Sequence, residues 1–327
     1  MHKLITILVA CLFVVSCAAK FKGDDGQPGK AGESSKTITI TSSEVKDIVT
    51  YLASDDRQGR NTGSEGIDQS ATYIENELKS YGVKPYYETY RDNFKIGEID
   101  AFNVVGFIEG TDKTLKDEVI ILGAHYDHIG KGRIVDGDSI ANGANDNAAG
   151  TSAVMAIAKY FAAKKSNKRS IMVALFSAEE MGLLGSKHLA ERLKQEGLNL
   201  YSMVNFEMIG VPFKDRDYEA FVSGYDLSNM AAKINEYAGS NLIGYSEVAK
   251  KYSLFKRSDN YPFYQQFNLP CQTISSCDLT NFDYYHHVDD EVSELNYEFM
   301  AGLINKIIPA IEMMSTTETK EIVMYGE

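Results

Sequence analysis

Residues 119–130 read VIILGAHYDHIG, residues 142–150 read NGANDNAAG, and residues 170–186 read SIMVALFSAEEMGLLGS. The run Val119 to Leu122 has the length and branching of a short buried strand, and Gly123 lets the chain turn so that His125 and Asp127 project past its end. Ile171 to Phe176 is a second such run, with Glu179 and Glu180 just beyond it. Between the two, Asp146 precedes an apolar helical pattern (Thr151, Val154, Ala158, Phe161), where helix-terminal amides favour a carboxylate. The alternation of buried strands and a helix predicts an α/β fold. Side chains at strand ends stand where open α/β sheets build their sites.

The residue types point to one chemistry. Imidazole nitrogen and carboxylate oxygen both bind Zn²⁺, and one carboxylate shared by two ions holds them ~3.5–4 Å apart, near enough to act on one substrate. Asp146 is the natural bridge. The adjacent acids Glu179 and Glu180 point in different directions, so one can bind metal while the other moves protons. That division suggests hydrolysis by a water that the metals acidify.

With these motifs the chain resembles the M28 family of zinc peptidases, whose members carry GAHxDH, GAxDNxSG and xxEExGLxGS in this order. Two further segments match downstream, SMVNFEMIG with Glu207 and YYHHVDD with His286. The resemblance runs from about Leu52 to the C-terminal helix. It implies a single-domain zinc-exopeptidase fold, a mixed central β-sheet with helices on both faces. It also implies two Zn²⁺ ions, one held by His125, Asp146 and Glu207, the other by Asp146, Glu180 and His286. Glu179 is then the general base, Asp127 accepts the free ring N–H of His125, and Tyr285 donates to the oxyanion. Relatives commonly have Asp where this chain has Glu207, a side chain one methylene longer. His287 is expected at the rim, and His128, which follows the first motif, is expected to make a structural hydrogen bond.

MHKLITILVACLFVVSC opens the chain as a basic start, an apolar run and a small residue before cysteine, so residues 1–16 read as a signal peptide. The apolar run is shorter than the ~20 residues that a membrane span needs. Val14, Val15, Ser16 and Cys17 resemble a bacterial lipobox, which makes Cys17 the lipidated first residue of the mature protein and its lipid the only membrane contact. Residues 17–40 hold four Gly-X-Y triplets, Gly23 to Ser34, too few for a triple helix, and read as a polar tether. Residues 41–327 form the catalytic domain, large enough for one substantial core. The net charge of −13 argues against nucleic acid or an anionic membrane surface as a partner. The expected location is the cell envelope, with peptides as substrates.

Thr41 with Glu44 predicts a capping box opening a helix, and a second helix follows through Ile67, Ala71, Ile74, Leu78 and Tyr81, stopped at Gly82. In the loop between them Arg57 and Arg60 are expected to make anchoring salt bridges. Asn103 to Ile108 is expected to pair with Val119 to Leu122. Tyr201 to Phe206 and Tyr218 to Val222 read as strands, Leu227 to Tyr237 as a helix, and Gly239 to Asn268 as loops around the site mouth. RSDNYPF, residues 257–263, resembles a family SDHxxF segment with Asn260 at the usual His, and Asp259 is a candidate supporting residue. The last strand runs from Cys271 to Ser275, and a helix through Phe299, Leu303, Ile307 and Ile311, with Pro309 inside it, closes the chain. Whether Cys271 and Cys277 bond is left open. The leading function is zinc aminopeptidase. The alternatives are a glutaminyl cyclase, a carboxypeptidase or dipeptidase, and a catalytically silent binding protein.

Overall fold

Thr41 opens the first helix as its sequence requires: its hydroxyl accepts the Glu44 amide while the Glu44 carboxylate accepts the Thr41 amide. This computed structural model describes residues 38–326. The signal peptide, Cys17 and most of the tether lie outside the described residues. Ile40, placed by sequence at the tether's end, is buried and exchanges two hydrogen bonds with the Asn305 side chain.

The helices are α1 (Ser42–Leu52), α2 (Glu65–Tyr81), α3 (Gly150–Lys164), α4 (Leu184–Gln195), α5 (Met230–Ala238), α6 (Glu247–Lys251), α7 (Asn260–Phe267) and α8 (Tyr297–Thr316). The strands are β1 (Lys84–Pro85), β2 (Arg91–Ile96), β3 (Ile99–Ile108), β4 (Val119–His125), β5 (Lys131–Val135), β6 (Asp138–Ile140), β7 (Ser170–Phe176), β8 (Leu200–Glu207), β9 (Ala220–Val222), β10 (Ile243–Gly244) and β11 (Cys271–Ser275). Among the described residues no helix is long and apolar enough to cross a membrane.

Nine strands form one mixed sheet in the order β1-β3-β7-β4-β8-β11-β9-β10, with β2 also on β3. Four central strands, β7, β4, β8 and β11, run parallel. Their side chains alternate between two apolar cores, as period two demands. Ile120, Leu122 and Val173 face the layer of α1, α2, α3, α5 and α8, whereas Ile121, Met172 and Ala174 face α4 and α7. Helices therefore cover both faces, and the polar groups of the central strands can gather only at their ends.

Three expectations are corrected. Asn103 to Ile108 does not neighbour Val119 to Leu122, because β7 lies between β3 and β4, antiparallel to the first and parallel to the second. The helix α3 carries the chain from β4 to the adjacent parallel β7, and that crossover displaces β3 outward. Residues 239–268 are not all loop, since they include α6 and α7, and Phe263 of α7 is fully buried against the second core. Arg60 makes no salt bridge among the described residues; its partners are backbone carbonyls, described below.

Leu122, fully buried in the middle strand, should cost about 2–5 kcal/mol when cut to alanine. Urea unfolding of Leu122→Ala should show a lower midpoint with an unchanged slope.

Candidate metal centre

The parallel register places the strand ends level. His125 of β4 pairs with Phe176 of β7, Gly123 with Asn205 of β8, and Glu207 with Ser275 of β11, so His125, Glu207 and the segment after Phe176 share one edge of the sheet. Each ligand-type side chain found in the sequence stands on this edge or on a loop folded over it.

The loops are held by buried polar groups. Arg60 is fully buried, and its guanidinium donates to the carbonyls of Tyr126 (2.7 Å), Leu52 (2.6 Å), Asn142 (2.6 Å) and Gly143 (2.9 Å). It thereby ties the loop after β4 to the turn that bears Asp146. Burial lowers its pKa to about 10, which still leaves it charged at neutral pH. The other arginine of that loop, Arg57, behaves as expected and pairs with Asp56 (3.6 Å). In the Asp146 turn, the Asp290 carboxylate accepts the amides of Asn145 (2.7 Å) and Asp146 (2.9 Å). Asn147 donates to the Phe206 carbonyl (2.9 Å), and its oxygen accepts the amides of Gly150 and Met208 (3.0 Å each). Asn145 accepts the Gly210 amide (2.9 Å), so the two asparagines clamp the turn onto the end of β8, beside Glu207. Gly143, with φ +58°, admits the approach: a Cβ there would lie 2.6 Å from the His128 ring and 2.2 Å from the Asp146 carbonyl.

Two donor groups result. His125 Nε2 lies 3.3 Å from Asp146 Oδ1 and 3.1 Å from Glu207 Oε1. His286 Nε2 lies 3.3 Å from Asp146 Oδ2 and 3.0 Å from Glu180 Oε2. His128 joins the second group, with Nδ1 3.0 Å from Glu180 Oε1 and 3.8 Å from Asp146 Oδ2. Donor atoms around one tetrahedral zinc, each roughly 2.0–2.2 Å from the ion, stand about 3.3 Å apart, so these spacings fit metal. Asp146 Oδ2 and His286 Nε2 are moreover buried without a hydrogen-bond partner among the described residues, although they face each other. Unpaired groups of that kind are costly in a protein interior and natural around a cation. The residues present therefore fit two divalent ions, with Asp146 reaching both.

Glu207 extends far enough to approach His125, and the Ser258 hydroxyl donates to its second oxygen at 2.8 Å. Asp259, the candidate supporting residue, is buried nearby, and burial pushes its carboxyl up to about 7. Asn260 bonds to Thr273 and to the carbonyls of Phe255 and Cys271, a structural role. Asp127 differs in detail from expectation. The His125 Nδ1 lies nearer the Asp127 carbonyl (3.2 Å) than its carboxylate (3.6 Å). The carboxylate instead accepts the amides of Glu179 (3.2 Å) and Glu180 (3.4 Å) and the Thr62 hydroxyl, so it orients the acidic pair as well as the imidazole. His128 also exceeds its expected part, since its hydrogen-bond partner is Glu180 itself. The signal was its position one residue past the His-x-Asp pattern. His287 faces Asp289 at the rim. Tyr285 stacks on His286, ring centroids 4.0 Å apart, and is partly exposed. Cys271 and Cys277 are both buried and unbonded.

The charges divide the two glutamates. Burial raises Glu179 well above the usual carboxylate range, assisted by the charges of Asp259, Glu207 and Glu180. Burial works against ionisation of Glu180 too, as does the charge of Asp146, but the imidazoles of His128 and His286 beside it bring its pKa below the usual value. For His286, burial alone would lower the pKa, yet Asp146 and Glu180 raise it to about 10. His125, Asp146, Glu179, Glu180 and Glu207 line a cleft to which Met208, Phe221, Leu254 and Leu279 add apolar surface.

Residues 103–310 match the model of peptidase family M28. A probable leucine aminopeptidase of Trichophyton verrucosum is 27% identical over 71% of this chain and 61% of its own length. The match spans between about a quarter and 61% of the length of the curated relatives. Among solved structures, the LapA aminopeptidase of Legionella pneumophila superposes with a TM-score of 0.65 at 22% identity, covering 85% of this chain and 73% of that one. A glutaminyl cyclase of Porphyromonas gingivalis gives 0.66 at 14% identity, covering 84% of this chain and 99% of that one. These two likenesses establish the mixed-sheet α/β fold.

Replacing Arg60 by methionine would leave four buried carbonyls without their donor. Urea unfolding of Arg60→Met should show a loss of about 3 kcal/mol or more, with Arg60→Lys recovering part of it.

Proposed function

Because the chain belongs to peptidase family M28, we propose that it is a zinc-dependent aminopeptidase that removes N-terminal residues from peptides at the cell envelope. The observation that carries the reading is Asp146. Its two oxygens face two separate groups of donors, His125 with Glu207 and His286 with Glu180, and the uncommitted Glu179 stands beside them. Aminopeptidases are named among both the relatives and the solved structures of similar fold, which supports the choice of the N-terminal bond.

Two zinc ions held there would supply an acidified water and polarise the scissile carbonyl. The chain's own residues do the rest. Glu179, its carboxylate raised by burial and its amide fixed on Asp127, takes a proton from the attacking water and returns it to the leaving amine. The neighbouring glutamate is engaged by two imidazoles and is left to hold metal. Tyr285 remains protonated, since partial burial and the nearby carboxylates raise its pKa, so its hydroxyl can donate to the oxyanion. Asp127 and His128 orient the ligands from behind, and Ser258 does the same for Glu207.

A glutaminyl cyclase is the second reading, favoured by the near-complete coverage of the Porphyromonas gingivalis enzyme. Two donor groups sharing one aspartate speak for the two-metal hydrolase, because cyclases of this fold normally use one zinc. Lipidation of Cys17 would tether the enzyme to the membrane.

Mass spectrometry of a mixed peptide set, free and N-acetylated, separates the readings. Stepwise loss of N-terminal residues from the free peptides only, abolished by chelator, is the expected result; loss of ammonia from N-terminal Gln above the spontaneous rate would favour the cyclase. Glu179→Gln should retain zinc and fold while kcat falls roughly 10²–10⁴-fold. Turnover at the wild-type rate would refute Glu179 as the base. Cys17→Ser should shift the protein from the membrane to the soluble fraction on cell fractionation, and continued membrane association would refute the anchor.

A further inference from the structure

The cleft that holds the donor groups is lined by four acids, Asp146, Glu179, Glu180 and Glu207, and by a single cation, Arg257. Two divalent ions would offset the four carboxylates. What then remains uncompensated on the cleft wall is the guanidinium.

Most arginines elsewhere in this acidic chain have found partners; Arg133, which does not line the cleft, is the other that has none among the described residues. Arg91, Arg169, Arg192 and Arg216 each hold a carboxylate, whereas Arg257 makes no ion pair or side-chain hydrogen bond among the described residues. Its side chain is exposed on the cleft. Its backbone, by contrast, is fixed. The Arg257 amide donates to the Leu254 carbonyl at 3.0 Å, and the next residue, Ser258, is bonded to Glu207. An unpaired guanidinium is thus held one residue from the edge of the donor set, in a cleft that apolar side chains also line.

From this placement we infer that Arg257 is a specificity-determining residue that binds a carboxylate of the peptide substrate. The inference rests on the peptidase reading above and narrows its substrate class. The apolar surface of Met208, Phe221 and Leu254 would take an apolar N-terminal side chain, and Arg257 would take the negative charge that follows. A guanidinium offers two parallel N–H donors to a carboxylate, a match that neither an amide nor a neutral side chain reproduces. The charge has two sources, the C-terminal carboxylate of a dipeptide or tripeptide and an acidic side chain just after the scissile bond. An extended dipeptide spans about 7 Å and a tripeptide about 10 Å, so the first source restricts the enzyme to short peptides.

The test compares two pairs of substrates on the zinc-loaded full chain: Leu-Ala against Leu-Ala-amide, and Leu-Asp-amide against Leu-Asn-amide. The wild type should favour the charged member of at least one pair by roughly fivefold or more in kcat/KM, and the pair affected identifies the source. Arg257→Gln should bring that ratio close to one, and Arg257→Lys, which keeps the charge but not the fork, should restore it in part. Isothermal titration of the Glu179→Gln protein with the same four peptides reads the preference in Kd, whether or not any peptide bond is cut. Absence of cleavage with a charge preference in Kd that Arg257→Gln abolishes would refute the peptidase reading and leave the carboxylate site standing. Equal affinities and rates within both pairs, or a preference that Arg257→Gln leaves unchanged, would overturn the inference.

Discussion

The parallel register of β7, β4, β8 and β11 is the constraint on which the rest depends. These strands are apolar on both sides because helices cover both faces of the sheet, so no charged side chain can be housed along their length. Their carboxyl ends are the available place. Since the strands run the same way and in step, those ends coincide, and residues 82 positions apart such as His125 and Glu207 meet at 3.1 Å. A slip of one residue in any pairing would send each side chain to the opposite core and separate the donors at once.

Register alone brings the donors near; a buried polar frame holds the loops that carry them. Arg60, Asn145, Asn147, Asp127 and Asp290 make their hydrogen bonds chiefly to backbone groups of the loops around the site. Each bond satisfies an amide or carbonyl that has no place in the sheet ladder, and leaving such a group unpaired would cost about 1–3 kcal/mol. The frame therefore stabilises the loops and orients the ligands through the same contacts. Asp127 illustrates this: one carboxylate fixes the amides of both glutamates, while its carbonyl sits on the His125 ring.

Electrostatics then separates roles among groups of the same kind. Four carboxylates crowd one cleft, and their mutual repulsion together with burial favours either protonation or a cation. Where two or more imidazoles approach, as at Asp146 and Glu180, the acid is held ionised. Where burial dominates and no imidazole pairs with the acid, as at Glu179, the affinity for a proton rises. Adjacent residues of identical chemistry are thus suited to different work by which neighbours face them. The neutralising charge ends at the donor set, and this leaves Arg257 as the cleft's remaining site for a negative group.

Much of this was legible in the chain. The apolar runs marked β4, β7 and β8 and the capping box marked the start of α1, because hydrophobic period and cap chemistry are local properties; His125, Asp146, Glu179 and Glu180 stood out by ligand type, and the family resemblance added Glu207 and His286. Local pattern could not show that β7 separates β3 from β4, since which strands pair depends on how the α3 crossover packs. Nor could it show α7, whose apolar residues cover a core that its own segment does not reveal. His128 and Arg60 were read as ordinary structural residues. Their partners, Glu180 and four carbonyls from three separate segments, come together only when the loops fold over the sheet edge. The sequence by itself determined which side chains are available for metal and proton chemistry and which of them, His125, Glu179 and Glu180, stand at or just past strand ends. The tertiary structure decided which of them touch and which charge is left without a partner, because those distances are set by packing between segments far apart in the chain.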